Sequence, residues 1–245
     1  MAELEASVRA TAVAYLAGLA EGRAVGAHPE AAALGVDGGV VVDDPGPGVE
    51  VGKIVSVLVL HAGNTAVVQV QWSGRAGWLT LLLSEGSWAV ISSVASPASG
   101  AAITPATMAA AVGACWDEYC GANRACDGPR MAEVFHPRCR LTYTGADGTV
   151  AIKSQAEFVR MVSERYTTPM HAPYAHLRDD PRVAAQYMLL GATFATPDVC
   201  MVVLKMGHPP MLWTDVLTVG RLGGGRWWIL AKSSCSEPLL EDEAR

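Results

Sequence analysis

Asp215 lies in the run MLWTDVLTV, where two-residue alternation puts Met211, Trp213, Asp215, Leu217 and Val219 on one face of a strand. A carboxylate sharing a face with large apolar side chains is costly to ionise unless it has a partner, and desolvation raises such a group from about 4 toward neutrality. It would then serve as a general base or as an undissociated hydrogen-bond donor. An Asp bonded to backbone near a strand end is the structural alternative. The groups that could work with it are His171, Tyr174 and His176 in the segment PMHAPYAHLRDDP, because imidazole titrates near neutral pH. Two exposed loop histidines are the plain alternative. Tyr143 could aim its phenol inward as a donor or pack half-buried on a sheet. In the resulting scheme Asp215 removes or relays a proton, His171 or His176 partners it, and Tyr143 or Tyr119 stabilises charge on a substrate oxygen. Trp213 and Met211 would form an apolar wall.

Other chemistries lack their residues. There is no G-x-S-x-G elbow, no G-x-x-x-x-G-K-[ST] loop and no H-E-x-x-H. Gly223, Gly224 and Gly225 sit between two strands, which makes a hairpin turn rather than a phosphate cradle. The six cysteines, Cys115, Cys120, Cys126, Cys139, Cys200 and Cys235, have neither C-x-x-C pairing nor zinc spacing and read as buried thiols. No cofactor and no metal are expected. Asp179-Asp180 before Pro181-Arg182 reads as a turn with a local ion pair, and Lys232 as a surface cation.

The elements that must position these residues occur twice. The strand pair around Trp227, from Asp215 to Ser234, has a shorter counterpart around Trp88, beginning at Gly77. Upstream, Val8, Ala12, Tyr15, Leu16 and Leu19 match Val112, Trp116, Tyr119 and Cys120 as helical stripes. His28-Pro29 matches His136-Pro137, and Asp37-Gly38 matches Asp147-Gly148 as hairpin signals. Ile54–Trp72 aligns without a gap on Met188–Met206, each a pair of extended runs about a turn at Gly63-Asn64 or Pro197-Asp198. In this comparison Gly77 stands opposite Asp215 and Ser93 opposite Lys232. Tyr119 and His136, having counterparts in Tyr15 and His28, lean toward structural roles, although both remain candidate ligand contacts. The first copy lacks the region holding a Ser154–Glu157 capping box and the His-bearing loop. The expected organisation is a degenerate unit over 1–96, a linker over 97–106 rich in small residues and Pro, a complete unit over 107–237 and a tail over 238–245.

A chain of 245 residues, 51% apolar, can bury two small cores. A net charge of −6 with scattered basic residues argues against nucleic acid, and no apolar run reaches membrane-span length. The acidic, amphipathic start does not resemble a secretory leader, so a cytoplasmic location is expected.

From Thr107 to Ser236, an opening helix with Trp and Tyr, the run VFHPRCRLTY, a D-G hairpin, an S-x-x-E-F helix and WTDVLTVGRLGGGRWWILAK occur in that order. This resembles the lumazine-binding, SnoaL-like branch of the nuclear transport factor 2-like superfamily. The resemblance implies an α+β fold of two tandem cone-shaped units, each a curved antiparallel sheet wrapped by helices, the first truncated. It also implies a pocket inside the cone and a sheet face used for dimerisation. The first unit would then supply an intrachain pseudo-dimer, with a homodimer as the other arrangement. Members include isomerases, dehydratases, cyclases and non-catalytic carriers, so the fold does not choose the activity. A small-molecule partner is expected, with cofactor-free acid-base catalysis of lyase, dehydratase or isomerase type; the alternative is a non-catalytic binding or association module.

Overall fold

The strand-forming runs build two sheets. The computed structural model describes residues 2–20, 53–59, 65–72, 74–84, 86–98, 101–145, 149–222 and 225–239. His28-Pro29, Asp37-Gly38, Gly63-Asn64, Asp147-Gly148 and Gly223-Gly224 lie outside the described residues. The first sheet is an antiparallel meander of β1 (Lys53–Val59), β2 (Thr65–Trp72), β3 (Arg75–Ser84) and β4 (Ser87–Pro97). Helix α1 (Ala2–Ala20) lays Val8, Ala12, Tyr15 and Leu16 against one face of it, over Val68, Leu79, Leu81 and Val90. The stripe spacing of three to four residues places these side chains on one side of the helix.

The second half opens with α2 (Pro105–Gly113), whose first turn is capped by the Thr104 hydroxyl accepting from the Thr107 amide at 3.1 Å. A π-helical turn, Ala114–Tyr119, leads into α3 (Cys120–Ala125), which stops at Cys126 in the left-handed conformation. Then follow α4 (Gly128–Val134), β5 (Phe135–Thr144), β6 (Val150–Ser154) and α5 (Gln155–Ser163). The capping box read from Ser154 and Glu157 starts α5, with both reciprocal bonds in place. Two 3-10 turns, Arg165–Thr167 and Ala172–Leu177, carry the His-bearing segment, and α6 (Pro181–Ala184) follows. Asp180 caps α6 and pairs with Arg182, the local ion pair expected there.

Strands β7 (Met188–Thr196), β8 (Val199–His208), β9 (Met211–Leu222) and β10 (Arg226–Pro238) complete a six-stranded curved sheet in the order β6-β5-β10-β9-β8-β7. All its pairings are antiparallel except β5 with β10, whose parallel alignment requires the long crossover between them. The helices cover one face, where Tyr119, Phe135, Phe158, Leu217 and Ile229 belong to one buried cluster. The other face meets the first sheet through Val67, Trp78 and Val94 against Val199, Met201, Val216 and Leu230.

The first sheet and the last four strands of the second share a register. Gly77 pairs with Ala95 and Asp215 with Ser234; Leu79 pairs with Ser93 and Leu217 with Lys232. Each sheet has an extra residue at the same place, Ile91 in β4 and Leu230 in β10, and a second irregularity between Ile54 and Ser56 or Leu189 and Gly191. The gapless alignment holds for β2 with β8. For β1 with β7 the pairing shifts it by one residue: Lys53, opposite Gln71, corresponds to Met188, opposite Lys205.

A bulge reverses the inward and outward alternation beyond it. Trp227 and Ile229 face the helix-covered side, and after Leu230 that side receives Lys232 and Ser234. In the first sheet the equivalent approach is closer, since a Cβ on Gly77 would meet the Val94 carbonyl oxygen and lie 2.6 Å from Ala95. Gly77→Ala should therefore cost about 1–3 kcal/mol, read as a lower urea midpoint at unchanged slope. Gly191→Ala, whose Cβ meets nothing within 4 Å, is the control. Equal midpoints for the two variants would refute the close approach.

Candidate functional site

Asp215 is 0% exposed and Lys232 3% exposed, and the Lys232 ammonium lies 2.7 Å from Asp215 Oδ1. Two further donors complete the carboxylate: Ser234 Oγ to Oδ1 at 2.6 Å, and Tyr119 Oη to Oδ2 at 2.6 Å. Lys232 also donates to Ser234 Oγ. The partner of Asp215 is thus Lys232 and not a histidine, and Lys232 is not the surface cation that its sequence context implied. The Leu230 bulge is the reason, because it turns Lys232 onto the face that Asp215 occupies. Tyr119 reaches Asp215 from the π-helical turn, a device that re-aims side chains along a helix.

Burial lowers the pKa of Lys232, and the Asp215 charge opposes that shift. Burial, reinforced by the Asp215 charge, pushes Tyr119 and Tyr143 well above the usual phenol range, so both remain donors. Tyr143 sets its ring against Trp213 at 5.8 Å and beneath the Lys232 ammonium at 4.9 Å. Its hydroxyl is buried with no partner among the described residues, which ordinarily costs about 1–3 kcal/mol.

A second polar cluster lies across the same cavity. Arg165, from the first 3-10 turn, donates to the Asn123 carbonyl at 2.9 Å and to the Asn123 side-chain oxygen. It is 3.2 Å from His208 Nδ1, while His208 Nε2 is 3.1 Å from Met206 Sδ. Burial, then the charges of Arg165 and Lys232 and neighbouring His171, hold His208 well below its usual pKa. A neutral ring accepting from Arg165 at Nδ1 carries its proton on Nε2, toward the sulfur. His171 Nδ1 lies 2.8 Å from the Pro209 carbonyl, and burial lowers its pKa as well. That bond requires Nδ1–H, which leaves Nε2 as the acceptor.

The cavity between these clusters measures about 350 Å³ and has a mainly apolar lining that includes Phe158, Met161, Met170, Met206 and Trp213. Of the residues singled out in the sequence, Asp215, Tyr119, Tyr143, Trp213 and His171 line it. Four do not. His176 is exposed on the second 3-10 turn and Tyr174 stands half-exposed on the same turn, whereas His171, which immediately precedes that turn, lines the cavity. Met211, at the start of β9 opposite Pro238 and His208, is not part of the cavity lining. His136 packs edge-on against Trp228, which belongs to the opposite face, and its Nδ1 accepts from the Arg138 amide.

Arg165, Asn123, His208 and Ser234 escaped the sequence reading. The one local signal was His208 beside Pro209-Pro210 at a strand end. Five cysteines are buried and Cys126 half-buried, all as free thiols. Among the described residues no group of three His, Cys, Asp or Glu side chains converges as a metal site, and no helix is long and apolar enough to cross a membrane.

The neutral His208 makes a pH prediction. The unfolded chain, with an ordinary imidazole near 6.5, binds a proton that the folded chain refuses. The contribution is complete above that value and is lost as pH falls through the window below it, at up to about 1.4 kcal/mol per pH unit. His171 adds to the slope in the same direction. Urea unfolding between pH 7 and 5 should give a shallower pH slope for His208→Asn, by about one proton; identical slopes would contradict a neutral buried ring.

No curated protein matches the chain. Among solved structures, a nuclear transport factor 2-like protein of unknown function from Silicibacter pomeroyi DSS-3 is 19% identical with a TM-score of 0.42, over 55% of this chain and 99% of that one. One of the same description from Shewanella baltica OS155 is 10% identical with a TM-score of 0.44, over 56% and 99%. A ketosteroid isomerase-like protein from Erwinia carotovora atroseptica SCRI1043 is 11% identical with a TM-score of 0.37, over 54% and 98%. Residues 107–233, more than half of the chain, match the family described as "Putative lumazine-binding", and the chain belongs to that family.

Proposed function

We propose that residues 107–237 form a pocket for a small, largely apolar molecule and carry out cofactor-free proton transfer on it, of lyase, dehydratase or isomerase type. One observation carries this reading: an apolar cavity ends on a buried Asp215–Lys232 pair beside a Tyr143 hydroxyl that has no partner among the described residues. A ligand oxygen would accept from Tyr143, and the nearby Lys232 charge would stabilise negative charge developing on that oxygen. His171, with Nε2 unprotonated, is the proton acceptor. Asp215 holds Lys232 and Tyr119 in place and relays charge, since both its oxygens already accept bonds. That saturation is also what favours the second reading, a binding module without chemistry.

In the same proposal, residues 1–96 are a degenerate copy joined through the 97–106 linker and set back to back as a pseudo-dimer. The matching registers and bulges support it, as does the loss of both charges at Gly77 and Ser93, where α1 packs instead. Six free thiols suit a reducing cytoplasm.

The purified protein should be incubated with a small-molecule extract, washed and denatured, and the released compound identified by mass spectrometry. Returned to the protein in D2O, that compound should gain deuterium at carbon with the wild type. Tyr143→Phe should exchange it about tenfold slower or worse, and Asp215→Asn should not exchange it at all. Retention without exchange in the wild type would reject catalysis and leave the binding module.

A further inference from the structure

Arg165 is 8% exposed and lines the cavity, yet among the described residues no carboxylate pairs with it. Its neighbours are neutral acceptors: both Asn123 oxygens, His208 Nδ1 and, at 3.9 Å, Cys126 Sγ. A buried cation without a counter-ion is costly, and guanidinium groups in protein interiors are ordinarily paired.

The charges around the cavity do not balance. Arg160, Arg165 and Lys232 face Glu164 and Asp215. Asp215 and Lys232 neutralise each other, while Arg160 and Glu164 are both exposed to solvent. One buried positive charge remains, on Arg165. Its donors are also only partly used. Asn123 takes one N–H from each terminal nitrogen, and His208 takes the other from Nη1. Nε–H and the second Nη2–H have no acceptor among the described residues, and that edge of a guanidinium binds a carboxylate through two parallel bonds.

We infer that the ligand of this cavity is a small monocarboxylate, with its apolar body against Phe158, Met206 and Trp213 and its carboxylate on Arg165. A single uncompensated charge matches a monoanion better than a phosphate dianion, and about 350 Å³ is at the small end of ligand pockets. The inference rests on the pocket reading above and gives the pocket a substrate class. The neutral His208 accepts from Arg165 without supplying a counter-charge, and Asn123 fixes the plane of the fork.

Isothermal titration of the full chain with 2-naphthoate and with the uncharged, similarly shaped 2-naphthamide tests it. The acid should bind about tenfold tighter or better than the amide, as expected of a desolvated charge-assisted pair. Arg165→Gln should remove the preference by weakening the acid alone, and Arg165→Lys should keep only part of it. Should Arg165→Gln fail to fold, the wild-type ratio of acid to amide decides by itself. Binding of both probes with no preference for the acid would overturn the carboxylate inference and leave the pocket standing. Binding of neither would overturn the pocket reading and this inference with it.

Discussion

The ion pair between Asp215 and Lys232 is the constraint around which the second half of the chain is arranged. Each of these charges costs several kcal/mol to remove from water, and their mutual attraction offsets that cost only when the remaining lone pairs and protons are satisfied. The satisfaction comes from four elements: β9 supplies the carboxylate, β10 the ammonium and the Ser234 hydroxyl, the π-helical turn the Tyr119 hydroxyl, and β5 the Tyr143 ring beneath the cation. A site held from this many directions is rigid before any ligand arrives, and preorganisation of that kind is what electrostatic stabilisation of a reacting group requires.

The pair also accounts for the difference between the two sheets. Both have the same register and an extra residue at the same place in the last strand. In the second sheet the reversed alternation brings Lys232 to Asp215. In the first it brings Ser93 beside Gly77, with the Ser93 hydroxyl buried and without a partner among the described residues. Without charges to solvate, that face is closed by the apolar stripe of α1. The same register thus carries a charged pair beside an apolar cavity in one sheet and an uncharged, helix-covered face in the other.

Much of this was legible in the sequence. Alternation along β9 placed Asp215 and Trp213 on the cavity face, the Ser154 capping box fixed the start of α5, and Val8, Ala12, Tyr15 and Leu16 of the first helical stripe and Trp116, Tyr119 and Cys120 of the second join the cores, while Val112 does not. The errors have a common physical origin. A bulge leaves no signature in a run such as RWWILAKSS, so Lys232 was assigned to the wrong environment. Of the histidine-bearing segment only His171 lines the cavity, because the 3-10 turn that follows it carries His176 away and exposes it. Arg165 and Asn123 are distant in sequence and meet through packing between the end of α3 and the turn after α5, a contact that no local pattern encodes.

The central claim, that the cavity floor is a charged pair shielded from water, is open to direct measurement. Nuclear magnetic resonance of protein labelled with 15N-lysine and 13C-aspartate reports the protonation of both side chains at neutral pH. The arrangement predicts a Lys232 ammonium whose protons exchange slowly with water, opposite an ionised Asp215 carboxylate, with that slow exchange lost in Asp215→Asn. A neutral Lys232 amine opposite a protonated Asp215, or ammonium protons in fast exchange with solvent, would contradict it.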